Sequence, residues 1–246
     1  MRIRDGLHLV ASGRAGFDLT HPLDCNVYAL DTGAGYILFD SGAGSDPDPL
    51  MAELQRDGID PSRITAVYLT HAHADHSGGA EPLRERLPHV TVVASPRTAE
   101  ILAQKDETLI SLDKARGSFY PADYIWTAPN IDHVLTPGSP YVVGNLRLTF
   151  IETPGHSGDH GSFVIEQQGM TALVSGDAIF AGGKVVLQDI PDCSVSATIA
   201  TIRKLGTLEF ETFLPGHGLF SLAGGKRHVE AALRFTEMGL PPPSFF

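Results

Sequence analysis

Cysteine is nearly absent. Only Cys25 and Cys193 occur, far apart and outside any Cys-x-x-Cys pattern. A disulfide framework is therefore not expected, and two free thiols in a reducing compartment are. Positive charge is also scarce: 18 Lys and Arg face 29 Asp and Glu, a net charge of −11 with the histidines neutral. That balance leaves no electrostatic footprint for nucleic acid or an anionic membrane. It overstates the negative charge if cations sit on Asp75 and Asp177. No apolar run approaches membrane-spanning length, and Met1-Arg2-Ile3-Arg4-Asp5-Gly6 has no apolar core of a secretory signal. A cytoplasmic location follows by default. Internal repeats and long low-complexity stretches are missing too. What remains is the composition of a soluble globular chain, 42% hydrophobic and 19% charged over 246 residues, and one domain is expected.

The richest stretch is Thr70-His71-Ala72-His73-Ala74-Asp75-His76-Ser77-Gly78-Gly79, which packs four metal-capable side chains into six residues. Ile64 to Leu69 before it reads as a buried strand, and Ala80 to Leu87 after it as a short helix. Other predicted strands are Leu7–Ala11, Asn26–Asp31, Tyr36–Asp40, Val90–Ala94, Leu146–Glu152, Ser162–Gln167, Thr171–Ser175 and Thr212–Leu214. Lys184–Leu187 is a further short candidate. Helices are expected over Pro49–Asp57, from the Ser95-Pro96 cap to Lys105, over Val195–Lys204 and over Leu222–Glu237. Residues 106–143 are the least periodic. They read as an insert, largely helical, with Phe119, Tyr120, Tyr124, Ile125 and Trp126 either packed on the core or shaping a substrate pocket. The element order favours two sheets sandwiched between helices over one doubly wound sheet.

His156, Asp177 and His217 each follow a predicted strand and stand beside glycine. With His71, His73, Asp75 and His76 they make five histidines and two aspartates, an imidazole and carboxylate set without thiolate. Such a set suits Zn, and also Fe or Mn, and seven ligands fit two divalent ions better than one. The remaining histidines, His8, His21, His89, His133, His160 and His228, are read as structural; His160 is the least secure, four residues after His156.

These motifs, in order, resemble the metallo-β-lactamase fold superfamily in its glyoxalase II-like hydrolase branch. The resemblance rests on Asp40-Ser41-Gly42, Thr70 to Gly79, Thr153-Pro154-Gly155-His156-Ser157, Ser175-Gly176-Asp177 and Pro215-Gly216-His217-Gly218. It implies a mixed α/β, four-layer αββα sandwich. It implies one metal on His71, His73 and His156, a second on Asp75, His76 and His217, and Asp177 bridging. Departures narrow the function. True metallo-β-lactamases generally lack an aspartate at the Asp177 position. Lactonases of the superfamily often carry a tyrosine where this chain has Phe180. The segment Ala181-Gly182-Gly183-Lys184 is shorter than its glyoxalase II counterpart, so glutathione recognition is not implied.

The expectation is a dinuclear metal-dependent hydrolase cleaving an ester, lactone or thioester with a metal-bridging hydroxide, Asp75 passing a proton to the leaving group. The partner is a small-molecule substrate, with no nucleic acid and no membrane. An alternative is a mononuclear iron enzyme like the persulfide dioxygenases, using His71, His156 and Asp177. A third is a non-catalytic metal-binding module, which an open site argues against. The proline-rich tail ending in Phe245-Phe246 either docks on its own core or joins a homodimer.

Overall fold

The structure, a computed structural model, describes residues 1–245. The Phe246 end of the tail, part of the docking expectation, lies outside the described residues. The chain divides into two compact units, residues 1–135 and 136–246. Among the described residues no helix is long and apolar enough to cross a membrane.

The first unit is built on a seven-stranded sheet in sequential order: β1 (Arg2–Arg4), β2 (Leu7–Ala11), β3 (Val27–Asp31), β4 (Tyr36–Phe39), β5 (Ile64–Tyr68), β6 (Thr91–Ala94) and β7 (His133–Val134). The strands are antiparallel through β4 and parallel from there on. The switch to parallel pairing requires crossovers, and helices supply them. They are α1 (Asp48–Arg56), then α2 (Ala74–Ser77) with α3 (Ala80–Arg86), then α4 (Pro96–Gln104). Val27, Leu38, Val67 and Val92 from the strands pack with Leu54, Leu83 and Leu102 from the helices in one buried cluster. The Ser95 hydroxyl accepts from Thr98 N–H at 3.0 Å, with Pro96 in the first turn, as the sequence signal required.

Residues 106–143 depart from the helical expectation. They contain one 3-10 turn (Glu107–Ile110), one short helix, α5 (Leu112–Ala115), and then irregular backbone as far as β7. Pro121, Pro129 and Pro137 each remove a helix donor and bias the residue before them away from helix. Tyr120, Tyr124 and Trp126 are buried and join the core of this unit, whereas Ile125 is 82% exposed.

The second unit carries a five-stranded sheet ordered β12-β11-β10-β9-β8, from β8 (Pro140–Val143), β9 (Leu146–Glu152), β10 (Gly161–Gln167), β11 (Met170–Gly176) and β12 (Thr212–Pro215). Only the β11–β12 pair is parallel; α6 (Val195–Gly206) lies between them in sequence and α7 (Lys226–Glu237) follows. Leu173, Phe213, Ile202, Leu205, Val229 and Ala232 form the core here. The short strand expected at Lys184–Leu187 is reduced to single bridges, Lys184 to Phe180 and Val185 to Ser244. Its partner is the tail. Val185 N–H donates to Pro243 O at 3.0 Å and Phe245 N–H to Val185 O at 2.9 Å. The Phe245 ring stacks on Phe180 with centroids 4.4 Å apart.

Candidate metal centre

In the first unit the ligand loop leaves the C-terminal end of β5, and the last turn before it is tied by side chains. Thr70 N–H donates to Asp40 Oδ1 at 2.8 Å, and Thr70 Oγ1 lies 2.9 Å from both Asp40 Oδ2 and His71 Nδ1. His76 Nδ1 is 2.8 Å from the same Asp40 Oδ2. The proton inventory fixes both rings. A carboxylate only accepts, so the single Thr70 hydroxyl proton goes to Asp40 and His71 Nδ1–H must donate to Thr70. His76 Nδ1–H likewise donates to Asp40. Both histidines are therefore held in the tautomer that offers Nε2 to a metal, the arrangement in which a carboxylate orients a ligating imidazole. Asp40 does this from a left-handed backbone, φ 60°, which aspartate tolerates better than most residues.

The rest of the loop is a single helical turn, α2, starting at His73. It brings the His71 and His73 rings to 4.7 Å and the His71 and His76 rings to 4.2 Å between centroids. Asp75 Oδ2 lies 3.7 Å from His76 Nε2. All four side chains are buried. The glycines that follow allow a close approach. Ser41 N–H and hydroxyl both donate to His76 O, and Gly79 N–H donates to Gly42 O. A Cβ on Gly79 would stand 2.0 Å from Ser41 O. Cys25 lies within 4.8 Å of Asp40 and His76, a possible thiol ligand by distance alone. Burial pushes its pKa up to about 12, so without a cation beside it this side chain is a neutral thiol next to the histidine.

In the second unit, parallel strands β11 and β12 end side by side, and Gly216 N–H donates to Gly176 O at 2.8 Å. Asp177 and His217, one residue beyond each, are thus neighbours at the C-terminal sheet edge, where α/β proteins place ligands. Asp177 Oδ2 is 3.4 Å from His217 Nε2 and 3.6 Å from His156 Nε2. One carboxylate oxygen faces two imidazoles. His156 sits on a tight turn: Ser194 N–H donates to Gly155 O, and a Cβ on Gly155 would meet Thr198 at 2.4 Å.

His160 proves to be a support within this group. Asp177 N–H donates to its Nε2 at 2.9 Å, so Nδ1–H donates to Thr153 Oγ1, also at 2.9 Å. Thr153 Oγ1 then donates to Ser162 Oγ at 2.9 Å, which donates to Ser175 O. The structural reading of His160 from sequence agrees with this chain of bonds. Sequence reasoning gave no role to Thr70 or His160 in holding ligands, and Asp40 was visible only as part of a motif. A hydroxyl directly before the first histidine was the available signal.

The insert contributes a surface as well as core. Pro121, Asp123, Ile125 and Thr127, with His21 and Leu23, line an open cleft of about 410 Å³ in the first unit.

Comparison with known proteins bears on both units. The family model described as the metallo-beta-lactamase superfamily matches residues 21–217. A beta-lactamase-like protein 2 homologue of Caenorhabditis elegans is 29% identical over 195 residues, covering 78% of this chain and 55% of the relative. The chain therefore spans about half the length of that relative. An acyl-coenzyme A thioesterase of Gallus gallus is 28% identical over 226 residues, covering 85% of this chain and 77% of the relative. Among solved structures, a metallo-beta-lactamase of Cronobacter sakazakii superposes with a TM-score of 0.73 at 19% identity, covering 97% of this chain and 96% of that one. That likeness shows the fold, the class expected from the strand and helix order.

Proposed function

The chain belongs to the metallo-beta-lactamase superfamily, and from that premise we propose that it is a metal-dependent hydrolase with a two-metal centre acting on an acyl carbonyl. In this reading, as the family resemblance implies, His71, His73 and His156 would hold one ion, Asp75, His76 and His217 the other, and Asp177 would serve both. The donor set fits zinc, being imidazole and carboxylate with second-layer carboxylate and hydroxyl support on His71 and His76. When bound, the two ions supply a Lewis acid for the carbonyl and an acidified water for attack. The chain's own residues do the remaining work. Asp40 and Thr70 keep His71 and His76 in the ligating tautomer.

The observation that carries the two-metal reading is Asp177. A carboxylate oxygen 3.4 and 3.6 Å from two imidazoles assigned to different ions is what a shared ligand needs. Thioesters stand first among the substrates, because the Gallus gallus relative is named an acyl-coenzyme A thioesterase and most of its length is matched. Lactones stand lower: Phe180 is buried, stacks on Phe245, and offers no hydroxyl to a carbonyl.

The test is elemental analysis of zinc-reconstituted protein together with a panel of acyl-coenzyme A thioesters, aryl esters and lactones. About two zinc ions per chain and chelator-sensitive thioester cleavage are expected on the two-metal model. Fewer than two ions, with no cleavage of any panel member, would overturn the proposal. Iron as the sole metal with oxygen uptake on a persulfide would replace it with the dioxygenase reading.

A further inference from the structure

Three aromatic residues of the irregular segment after α5 reach the ligand loop: Tyr124 at Ala74 O, Trp126 at Ser77 Oγ and Tyr120 at Asp75. Tyr120 is buried, and its hydroxyl makes two contacts with Asp75. It accepts from Asp75 N–H at 3.0 Å and lies 2.7 Å from Asp75 Oδ1. Because the carboxylate only accepts, the phenolic proton lies on the bond to Oδ1.

The ring is held from behind. It stacks on Tyr124 with centroids 4.8 Å apart and planes at 21°, and the Tyr124 hydroxyl donates to Ala43 O at 2.7 Å. The Asp75 carboxylate thus has one oxygen committed to a rigid partner. The other, Oδ2, stands 3.7 Å from His76 Nε2.

We propose that Tyr120 is a positioning residue for Asp75: its phenol occupies Oδ1 and so presents Oδ2, beside His76 Nε2, as the single oxygen offered to a metal ion. The inference rests on the two-metal reading. Asp75 lies in the first turn of α2, where an untethered carboxylate can turn back onto backbone N–H groups. It can also offer both oxygens to one cation. The Tyr120 bond closes both routes. The aromatic cluster of the insert therefore has a second role besides core packing: it sets how one ligand meets its ion.

The test is zinc affinity, measured by competition with a chromophoric chelator on Tyr120→Phe, Tyr36→Phe and the wild type, each first stripped of metal. Tyr120→Phe keeps the ring and loses the hydroxyl. The affinity for one ion should fall about 10–100-fold, as for other lost orienting bonds, while the other ion stays within about twofold. Tyr36→Phe removes a tyrosine hydroxyl from β4, where the ring meets His8 and Arg63 rather than the ligand loop, and should leave both affinities unchanged. Melting of the metal-free proteins separates folding damage from this effect. If Tyr120→Phe does not fold, tyrosine difference absorption during zinc titration of the wild type replaces it. A change saturating with the second ion is then expected, and no change overturns the inference. Unaltered zinc affinities in a folded Tyr120→Phe overturn the inference alone. A wild type that takes up fewer than two ions overturns both it and the two-metal reading.

Discussion

Replacing Asp40 tests whether one carboxylate organises the ligand loop. Asp40 is 2% exposed, accepts from Thr70 N–H, Thr70 Oγ1 and His76 Nδ1, and holds φ at 60°. Asp40→Ala leaves the Thr70 amide and the His76 ring N–H buried without their acceptor, at roughly 1–3 kcal/mol each. It also places an ordinary side chain in the left-handed region, at about 1–2 kcal/mol. Summed, this is about 3–8 kcal/mol. Contributions within one network are not additive, so about 4 kcal/mol is the working expectation. Asp40→Asn is the informative partner. Asparagine tolerates the same backbone and one oxygen still accepts from Thr70, so about 1–2 kcal/mol is expected. Its amide N–H₂ would face His76 Nδ1–H, donor against donor. Relief comes from moving the His76 proton to Nε2, which blocks the nitrogen assigned to the metal. Asp40→Asn should therefore lose more zinc affinity than stability. The assay is urea unfolding in chelator, followed by the fluorescence of Trp126, the one tryptophan, buried in the same unit. Asp40→Ala within 1 kcal/mol of the wild type, against the 3 or more worked above, would refute the reasoning.

His160→Ala should retain more metal than His156→Ala while costing roughly 1–3 kcal/mol in unfolding, since it strands the Asp177 amide rather than deleting a donor to the ion. Equal metal loss in the two variants would make His160 a ligand. His228 accepts from Gly182 N–H at Nδ1 and lies 2.8 Å from Ser221 Oγ. Burial, and then Arg227, lower its pKa from 6.5. The folded state thus favours the neutral ring, and the stabilisation is present above pH 6.5 and lost as pH falls through the lowered value. The melting-temperature gap between wild type and His228→Gln should narrow on acidification below that point, and a constant gap would contradict it. Ile125→Asp on the rim of the cleft should raise KM for apolar acyl substrates with little change in melting temperature, because the side chain is 82% exposed.

Much of this was legible in sequence for one reason. Apolar runs that end in a histidine or aspartate beside glycine are the strands β9, β11 and β12, and the run before the histidine-rich loop is β5. What escaped was tertiary. Thr70 meets Asp40 from thirty positions away, and Tyr120 meets Asp75 from forty-five, so neither pairing leaves a local period. Residues 116–132 carry no period to read, and the helical insert expected there gives way because prolines break the backbone and burial by single residues decides the conformation. β1 was missed because its three residues, Arg2-Ile3-Arg4, are too few and too polar to stand out from a terminus. Val185 pairs with a segment nearly sixty residues later, so its single rung could not be told from a short strand.

That rung bears on how His217 moves. Two backbone hydrogen bonds and one ring stack hold Pro243 to Phe245, and the Phe245 ring fills the space beside Gly218, where a Cβ would meet it at 2.8 Å. A segment joined to the fold through an isolated bridge opens locally, at a free energy below that of global unfolding. Each opening strips an aromatic neighbour from the loop that carries His217. The exchange rate of one backbone amide, that of Phe245, is therefore a clock for how often the His217 loop keeps Phe180 but loses its second aromatic neighbour.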